Sequence, residues 1–484
     1  MTQPAVNITE QDGALGVLPP SSGKLYACVG AANAGPINAP ATYARVRDLV
    51  ATFGGGPVVE AAARHIDVYG KPVVIVRSAS SATSPAGTVS AVDSDADGTS
   101  VVTVQASPNP TDDLEIVVKI ITGGTRGVAG VTFRVSLDNT RNFGPVTALG
   151  TATSIEVSEG VSFDLAAGTF VAGDTHSARA FAPNFSSADL GDALDALGAT
   201  AANWEIAHIV GPVDSDALDT IEIKFAAMFA RGKERAWIAN TRVPNALESE
   251  AQYATAMNTG FSTKATKFGS LCAGATKLTS SVSGRKYRRP VSYSVGALTA
   301  SVSEEINIAD VAVGLLPGVS IRDINGNADE HDESLNPGLD DARFCVLRTI
   351  EGYQGVYVNR PRLFSPEGSD FQLMPHRRVL NLAHAALRVY FIRRLNKPII
   401  VSKTTGFILD SEALEIEAGA IGVMRDTLLA KPKASAVQFA LSRTDNLLST
   451  KTLNGQGRVV PLAYPEFINL DVGFYNPALQ VVAV

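Results

Sequence analysis

Half-cystine chemistry is almost missing from this 484-residue chain. Its three cysteines, Cys28, Cys272 and Cys345, stand far apart, which rules out a disulfide framework and any CxxC metal spacing, and they read as reduced packing residues. Six histidines are present and no two fall at i,i+4, so a helical metal pair is not available. GxSxG, HExxH, GxGxxG and a complete phosphate loop are all lacking; "YGKP" has a Gly-Lys pair without the following Ser or Thr. The start "MTQPAVNITEQDG" has neither a basic nor an apolar leader segment, and no run of about 18 apolar residues occurs, so a cytoplasmically made, non-membrane chain is expected. Internal repeats and low-complexity tracts are absent too.

What remains is an ordinary core-forming composition, 45% hydrophobic and 18% charged, with a net charge of −7 that argues against a global attraction to nucleic acid or anionic lipid. The length exceeds one hydrophobic core, so several domains are expected. Residues 1–23 end in "LGVLPPSSGK" and read as an extended arm. "KLYACVGAA" reads as a buried strand, "TYARVRDLVATFG" and "PVVEAAARHIDVYG" as helices, and "KPVVIVRSA" as a second strand. In the second helix Pro57 suits the first turn and Gly70 the stop. This is the opening of an α/β domain with a parallel sheet.

The character changes over residues 81–183. Val, Thr, Ser and Gly dominate, and "SVVTVQAS", "LEIVVKIIT", "GVTFRVSLD", "TSIEVSE" and "HSARAFA" are spaced like strands of a sandwich or small barrel. The α/β rhythm resumes after residue 183 with "SADLGDALDALG", "WEIAHIVGP", "DALDTIEIKFAAMFARG" and "ERAWIANTR", so the β segment interrupts one domain. An α+β module follows over 370–475. It contains the long helix "MPHRRVLNLAHAALRVYFIRRLNKPI" and a second helix, "DSEALEIEAGAIGVMRDTLLAKPK", with Asp410 or Ser411 as its cap. The fold class expected is therefore α/β and α+β multidomain: a core of 24–80 and 184–369, an all-β insert, a C-terminal domain, and terminal arms at 1–23 and 476–484.

Three charged stretches invite a chemical reading. "DSDADG" at 93–98 begins like a calcium loop but has Val104 where the bidentate Glu belongs, and reads as a solvated turn. "RDINGNADEHDESLNPGLDD" is acidic without ligand spacing and reads as a flexible surface loop. Between Phe371 and Leu409 lie Arg377, Arg378, Arg388, Arg393, Arg394, Lys397 and Lys403 with no acidic residue, and "RKYRRP" at 285–290 adds a second basic cluster. A solvated helix face, a complementary protein surface and nucleic acid are the open readings, the last disfavoured by the scarcity of stacking aromatics.

"LYACVGAANAGPINAPATYARVRDLVATFGGGPVVEAAARHIDVYGKPVVIVRSAS" resembles the N-terminal part of contractile tail sheath proteins, with its VGxAxxGPxNxP turn and PVxVVR strand. The segments "RRVLNLAHAALRVYFIRRLNKPI" through "GRVVPLAYPEFINLDVGFYNP" are similar to that family's C-terminal domain, with its VxPxxxPExIxLDVxF ending. The resemblance spans roughly 24–80 and 184–484, and the β insert is similar to the variable outward-facing domain of phage sheaths.

The resemblance implies a non-enzymatic subunit without cofactor, polymerised as stacked hexameric rings around an inner tail tube protein. It implies baseplate and tail terminator partners, no membrane or direct nucleic-acid contact, and a place in the virion after assembly in the host bacterial cytoplasm. Contraction would drive the tube through the target envelope. Arms that add strands to a neighbour's sheet are implied as well, carried here by Val6, Ile8, Leu15 and Val17 at one end and Leu479, Val481, Val482 and Val484 at the other. Phe467 to Phe474, where Ile468, Leu470, Val472 and Phe474 alternate with Asn469, Asp471 and Gly473, is expected inside the receiving sheet. Arg388, Arg393, Arg394 and Lys397 are the candidates for facing the tube. A cytoplasmic α/β enzyme with a substrate-binding insert is the alternative, and a host-surface adhesion module a third reading suggested by the insert alone.

Overall fold

The computed structural model describes residues 24–474 apart from 81–86, 159, 246–247, 324–325 and 327–328. It divides between Pro398 and Ile399 into two compact units.

The first unit is organised on a six-stranded sheet in the spatial order Gly269–Cys272, Ala236–Asn240, Trp204–Pro212, Leu25–Gly30, Val73–Arg77 and Ala41–Tyr43. The first five run parallel, and the short Ala41–Tyr43 edge is antiparallel to its neighbour. Numbered along the chain, the parallel strands lie in the order 2-1-3-4-5, a doubly wound arrangement. Both faces are covered, which is why "YACV", "VVIV" and "AWIA" read as unbroken apolar runs. Alternate residues divide between two cores. Tyr26, Cys28, Val73, Ile75, Ile206 and Ile238 face the helices Val46–Phe53, Pro57–Tyr69 and Ser292–Ser301. Ala27, Val29, Val74, Val76, Ala207 and Ile209 face Ser187–Ala199, Ser215–Ala230 and Glu250–Phe261.

Local chemistry sets the helix ends. Pro57 opens its helix and Gly70 closes it at φ 65° in the left-handed region, as its sequence position predicts. Ser186 with Asp189 and Ser249 with Gln252 form reciprocal capping boxes. Thr42 and Tyr43, expected in a helix, instead extend the sheet edge, and that helix begins at Val46.

Between Val73–Arg77 and Ser187–Ala199 the chain builds a β-rich insert, from Thr88–Val89 to Thr175–Phe181. A six-stranded sheet centred on Leu114–Thr122 and Thr175–Phe181 and a three-stranded sheet of Ser154–Ser158, Val161–Leu165 and Val102–Val104 share one apolar core. Ile116, Val118, Phe133 and Ala178 meet Ile155, Phe163 and Leu165 there. After the insert and the resumed α/β part, the helix Met374–Ile392 belongs to the first unit.

The second unit is small. The helix Asp410–Leu428 buries Ala413, Ile416, Ala420, Met424 and Leu428 on one stripe. It packs on an antiparallel pair, Ala434–Leu441 with Gly455–Pro461. Asp410 is the first helical residue, and Leu409 precedes it without a side-chain cap, so the expected cap at Asp410 or Ser411 is not formed.

Candidate functional site

A doubly wound sheet presents ligands at the carboxyl ends of its strands. A cavity of about 260 Å³ lies there, between Gly211, Pro212, Thr241 and Val243 of the core and Leu114, Phe181 and Pro183 of the insert. Its charged lining is committed within the chain. Glu115 pairs with Lys277 at 3.0 Å and Arg179 at 3.6 Å, Arg242 holds Glu248 at 2.6 Å, and Arg288 holds Glu330 at 2.5 Å. Asp113 accepts from the Ala182 amide at 2.8 Å. The buried His208 Nε2 shares a hydrogen bond of 2.9 Å with Ser292 Oγ, but burial pushes its pKa down to about 3, so it stays a neutral core group. Among the described residues no three His, Cys, Asp or Glu side chains gather to hold a metal.

The second basic cluster is internal. In "RKYRRP" Arg288 grips Glu330, and Arg289, 2% exposed, reaches Asp112 Oδ2 at 2.6 Å and the Asp113 carbonyl at 2.7 Å. Arg289 on Asp112 and Lys277 on Glu115 join the core to the insert through charges hidden from solvent.

The acidic loop also departs from expectation. Far from being a flexible solvated loop, it buries Glu330, His331, Asp332, Glu333 and Asp340. Burial works to raise the Asp332 carboxyl, but bonds from Ser334 and Thr349, through both backbone and hydroxyl, outweigh it and hold the pKa below the usual range. Glu333 accepts from the Gly338 and Asp340 amides, and His331 is 2.8 Å from its other oxygen. A carboxylate whose folded pKa is depressed adds stability above its unfolded value, near 3.9, and loses it as pH falls through the folded one. Asp332→Asn is therefore expected to cost about 1–3 kcal/mol at pH 7 in denaturant titrations, with the gap to the parent closing below about pH 4.

The long basic stretch separates into three groups. Arg377 and Arg378 are buried. The Arg377 guanidinium lies 4.9 to 5.6 Å from the ring centres of Phe268, Phe229 and Phe371, and burial pushes its pKa down to about 10. Arg378 forms a fork with Glu205 at 2.9 and 3.1 Å. Arg388, next along the helix, is exposed but tied to Glu234 by bonds of 2.7 and 3.0 Å. Further cations follow beyond the helix. Arg393 and Lys397 are exposed, and Arg394 lies 5.0 Å over Tyr390. Val389, Ile392 and Leu395, 53%, 57% and 70% exposed, intersperse with them. Among the four candidates for facing a tube, Arg388 thus has an internal partner, and the helix end offers a mixed apolar and cationic surface.

The most unusual feature of the second unit is its ending. Phe467, Ile468, Leu470, Val472 and Phe474 are 73% to 112% exposed and belong to no strand among the described residues. The expectation that this segment lies inside a sheet of the chain is corrected: its alternation supplies one half of a strand pairing, and the described residues supply no partner. Beside it in sequence, the pair Ala434–Leu441 and Gly455–Pro461 has no further strand on either edge among the described residues. A two-stranded sheet with unpaired edges and an apolar extended tail are complementary needs that one copy does not meet. The proposed arm residues Val6, Ile8, Leu15, Val17, Leu479, Val481, Val482 and Val484 lie outside the described residues.

The family model "DUF2586, N-terminal domain" matches residues 3–362. No curated protein matches the sequence. Among solved structures, the chain is similar to the PVC sheath complex of an extracellular contractile injection system in its contracted state, at 10% identity over 98% of both chains with a TM-score of 0.54. It is also similar to the anti-feeding prophage helical sheath in its contracted state, at 12% identity over 98% of this chain and 99% of that one with a TM-score of 0.50. A chain of the contracted anti-feeding prophage baseplate matches at 12% identity over the whole of both chains, again at 0.50. Identities this low establish a common fold, that of contractile sheath subunits, over essentially the full length.

Proposed function

The chain belongs to the DUF2586 family, and from that premise we propose that it is the structural, non-enzymatic subunit of a contractile sheath. Subunits would stack as hexameric rings around an inner tube in an extended, high-energy lattice and relax to a wider, shorter one, driving the tube through a target envelope. The energy would come from burying new subunit surface, in keeping with a sequence that has no phosphate loop. The observation that carries the reading is the exposed alternating tail, Phe467 to Phe474, beside a two-stranded sheet with open edges. A tail donated by one copy to the sheet of the next gives main-chain hydrogen bonds for strength and leaves each subunit body free to rotate. Residues 1–23 and 476–484 are the arms in this scheme, the latter continuing the exposed segment. A baseplate, a terminator and a tube are the further partners, in a virion tail or a related injection particle.

The end of the Met374–Ile392 helix is the surface we assign to the tube. Arg393, Arg394 and Lys397 supply charge and Val389, Ile392 and Leu395 supply apolar area. Arg388, exposed but paired with Glu234, borders this surface.

Negative-stain electron microscopy of the purified chain, alone and mixed with its tube protein, tests the proposal. Ribbed cylinders are expected, with tube-dependent yield reduced about tenfold or more by the combined Arg393→Glu, Arg394→Glu and Lys397→Glu substitutions and weakened by salt. Monodisperse particles with and without tube would overturn the sheath reading, and unchanged tube-dependent yield from the triple variant would remove the tube assignment.

A further inference from the structure

Only three cysteines occur in 484 residues, yet two of them are direct partners across a strand pairing. Cys272 ends the edge strand Gly269–Cys272 of the parallel sheet. Cys345, distant in sequence, lies beside it in a parallel bridge. The Cys345 amide donates to the Leu271 carbonyl at 2.9 Å and the Ala273 amide to the Cys345 carbonyl at 3.2 Å, which brackets Cys272 and fixes the register. Both side chains enter the same apolar core, whereas Leu271, Ala273, Phe344 and Val346 point into the other. Burial, and the Cys345 thiol beside it, push the Cys272 pKa up. Residues paired in this way sit about 4.8 Å apart, within the roughly 4.4–6.8 Å separation that a disulfide spans.

We propose that Cys272 and Cys345 form a redox modification site, a dithiol in a reducing compartment that becomes an intramolecular disulfide on exposure to a peroxide oxidant. Hydrogen peroxide oxidises one thiol to a sulfenic acid with release of water. The second sulfur then attacks the sulfenyl sulfur, expelling hydroxide that leaves as a second water with the remaining thiol proton. Two thiols and one peroxide thus give one S–S bond and two waters, the sulfurs losing two electrons to the peroxide oxygens. Both groups are fully buried, and burial pushes the Cys272 thiol up, so thiolate is scarce and the reaction is slow. Cys28, in the same core but separated from Cys272 by two intervening strands, is left as a free thiol. The bond would fasten the segment leading into the Leu347–Ile350 and Tyr353–Val358 hairpin covalently to the sheet edge.

The test exposes the full folded chain to millimolar hydrogen peroxide overnight, then denatures it and alkylates free thiols before mass analysis. The expected result is a mass before alkylation about 2 Da below the reduced chain, a fall from three alkylated cysteines to one after it, and a peptide map joining Cys272 to Cys345. An upward shift of a few degrees in the unfolding temperature, reversed by dithiothreitol and absent from Cys345→Ser and Cys272→Ser, should accompany it. Three alkylated thiols after exposure, higher oxides in place of the crosslink, or a crosslink through Cys28 would each overturn the proposal.

Discussion

Removing residues 467–484 is expected to abolish polymerisation and leave a folded monomer. The side chains from Phe467 to Phe474 are solvent-exposed and join no strand among the described residues, so their loss takes away little intramolecular packing. The unfolding free energy should move by no more than about 0.5 kcal/mol. Between copies the effect is of another order, because each donated strand brings a ladder of main-chain bonds and its apolar side chains, and each ring multiplies the loss. A milder variant separates a strand from a merely sticky tail. Leu470→Pro keeps the tail apolar but removes an amide donor and fixes the backbone, so it should damage polymerisation if the segment pairs as a strand. Sedimentation velocity together with electron microscopy reads both. Cylinders of normal yield from the truncated chain would show that the subunits are joined elsewhere.

The largest loss of stability is expected at Arg378. Its guanidinium uses every donor: Nε and Nη2 on Glu205, Nη1 on the carbonyls of Thr299 and Ser303, and Nη2 also on that of Val302, all between 2.9 and 3.2 Å. Three elements meet on it: the Met374–Ile392 helix that carries it, the strand Trp204–Pro212, and the end of the Ser292–Ser301 helix. Burial works against this charge, but the Glu205 carboxylate and its hydrogen bonds outweigh it and raise the guanidinium pKa.

Arg378→Ala leaves the buried Glu205 carboxylate and the Thr299 and Val302 carbonyls without this donor, while the Ser303 carbonyl keeps the Ile306 amide, and should cost about 3–5 kcal/mol in denaturant titrations. Arg378→Lys should recover little of this, since one ammonium cannot reproduce a planar fork. Glu205→Ala should cost less than Arg378→Ala, because the carbonyls at the helix end continue to hold the cation. If the two single variants were equally damaging, the carbonyl contribution would be negligible. A double substitution to apolar residues of similar volume should regain part of the loss.

The fold's elements were largely written in local sequence. Period-2 runs marked the strands of the insert, unbroken apolar runs the two-sided sheet, and Pro57 and Gly70 the limits of a helix. The resemblance to sheath proteins rested on such local signals too, and the shared fold bears it out. Charge was different. "RKYRRP", the acidic loop and the double arginine at 377–378 all look like solvated surface when read along the chain, yet each buries charged side chains. Their partners stand far away in sequence, Arg289 with Asp112, Arg288 with Glu330, Arg378 with Glu205, and no spacing rule anticipates a pair that only the topology brings together.

By itself, then, the sequence determined where strands and helices form, because periodicity and capping act over a few residues. Only the tertiary structure decided which charges are buried, which cations gather at a helix end, and that the strand-like ending joins no strand among the described residues. Each of those outcomes depends on long-range pairing, whose energy exists only once the partners share a place.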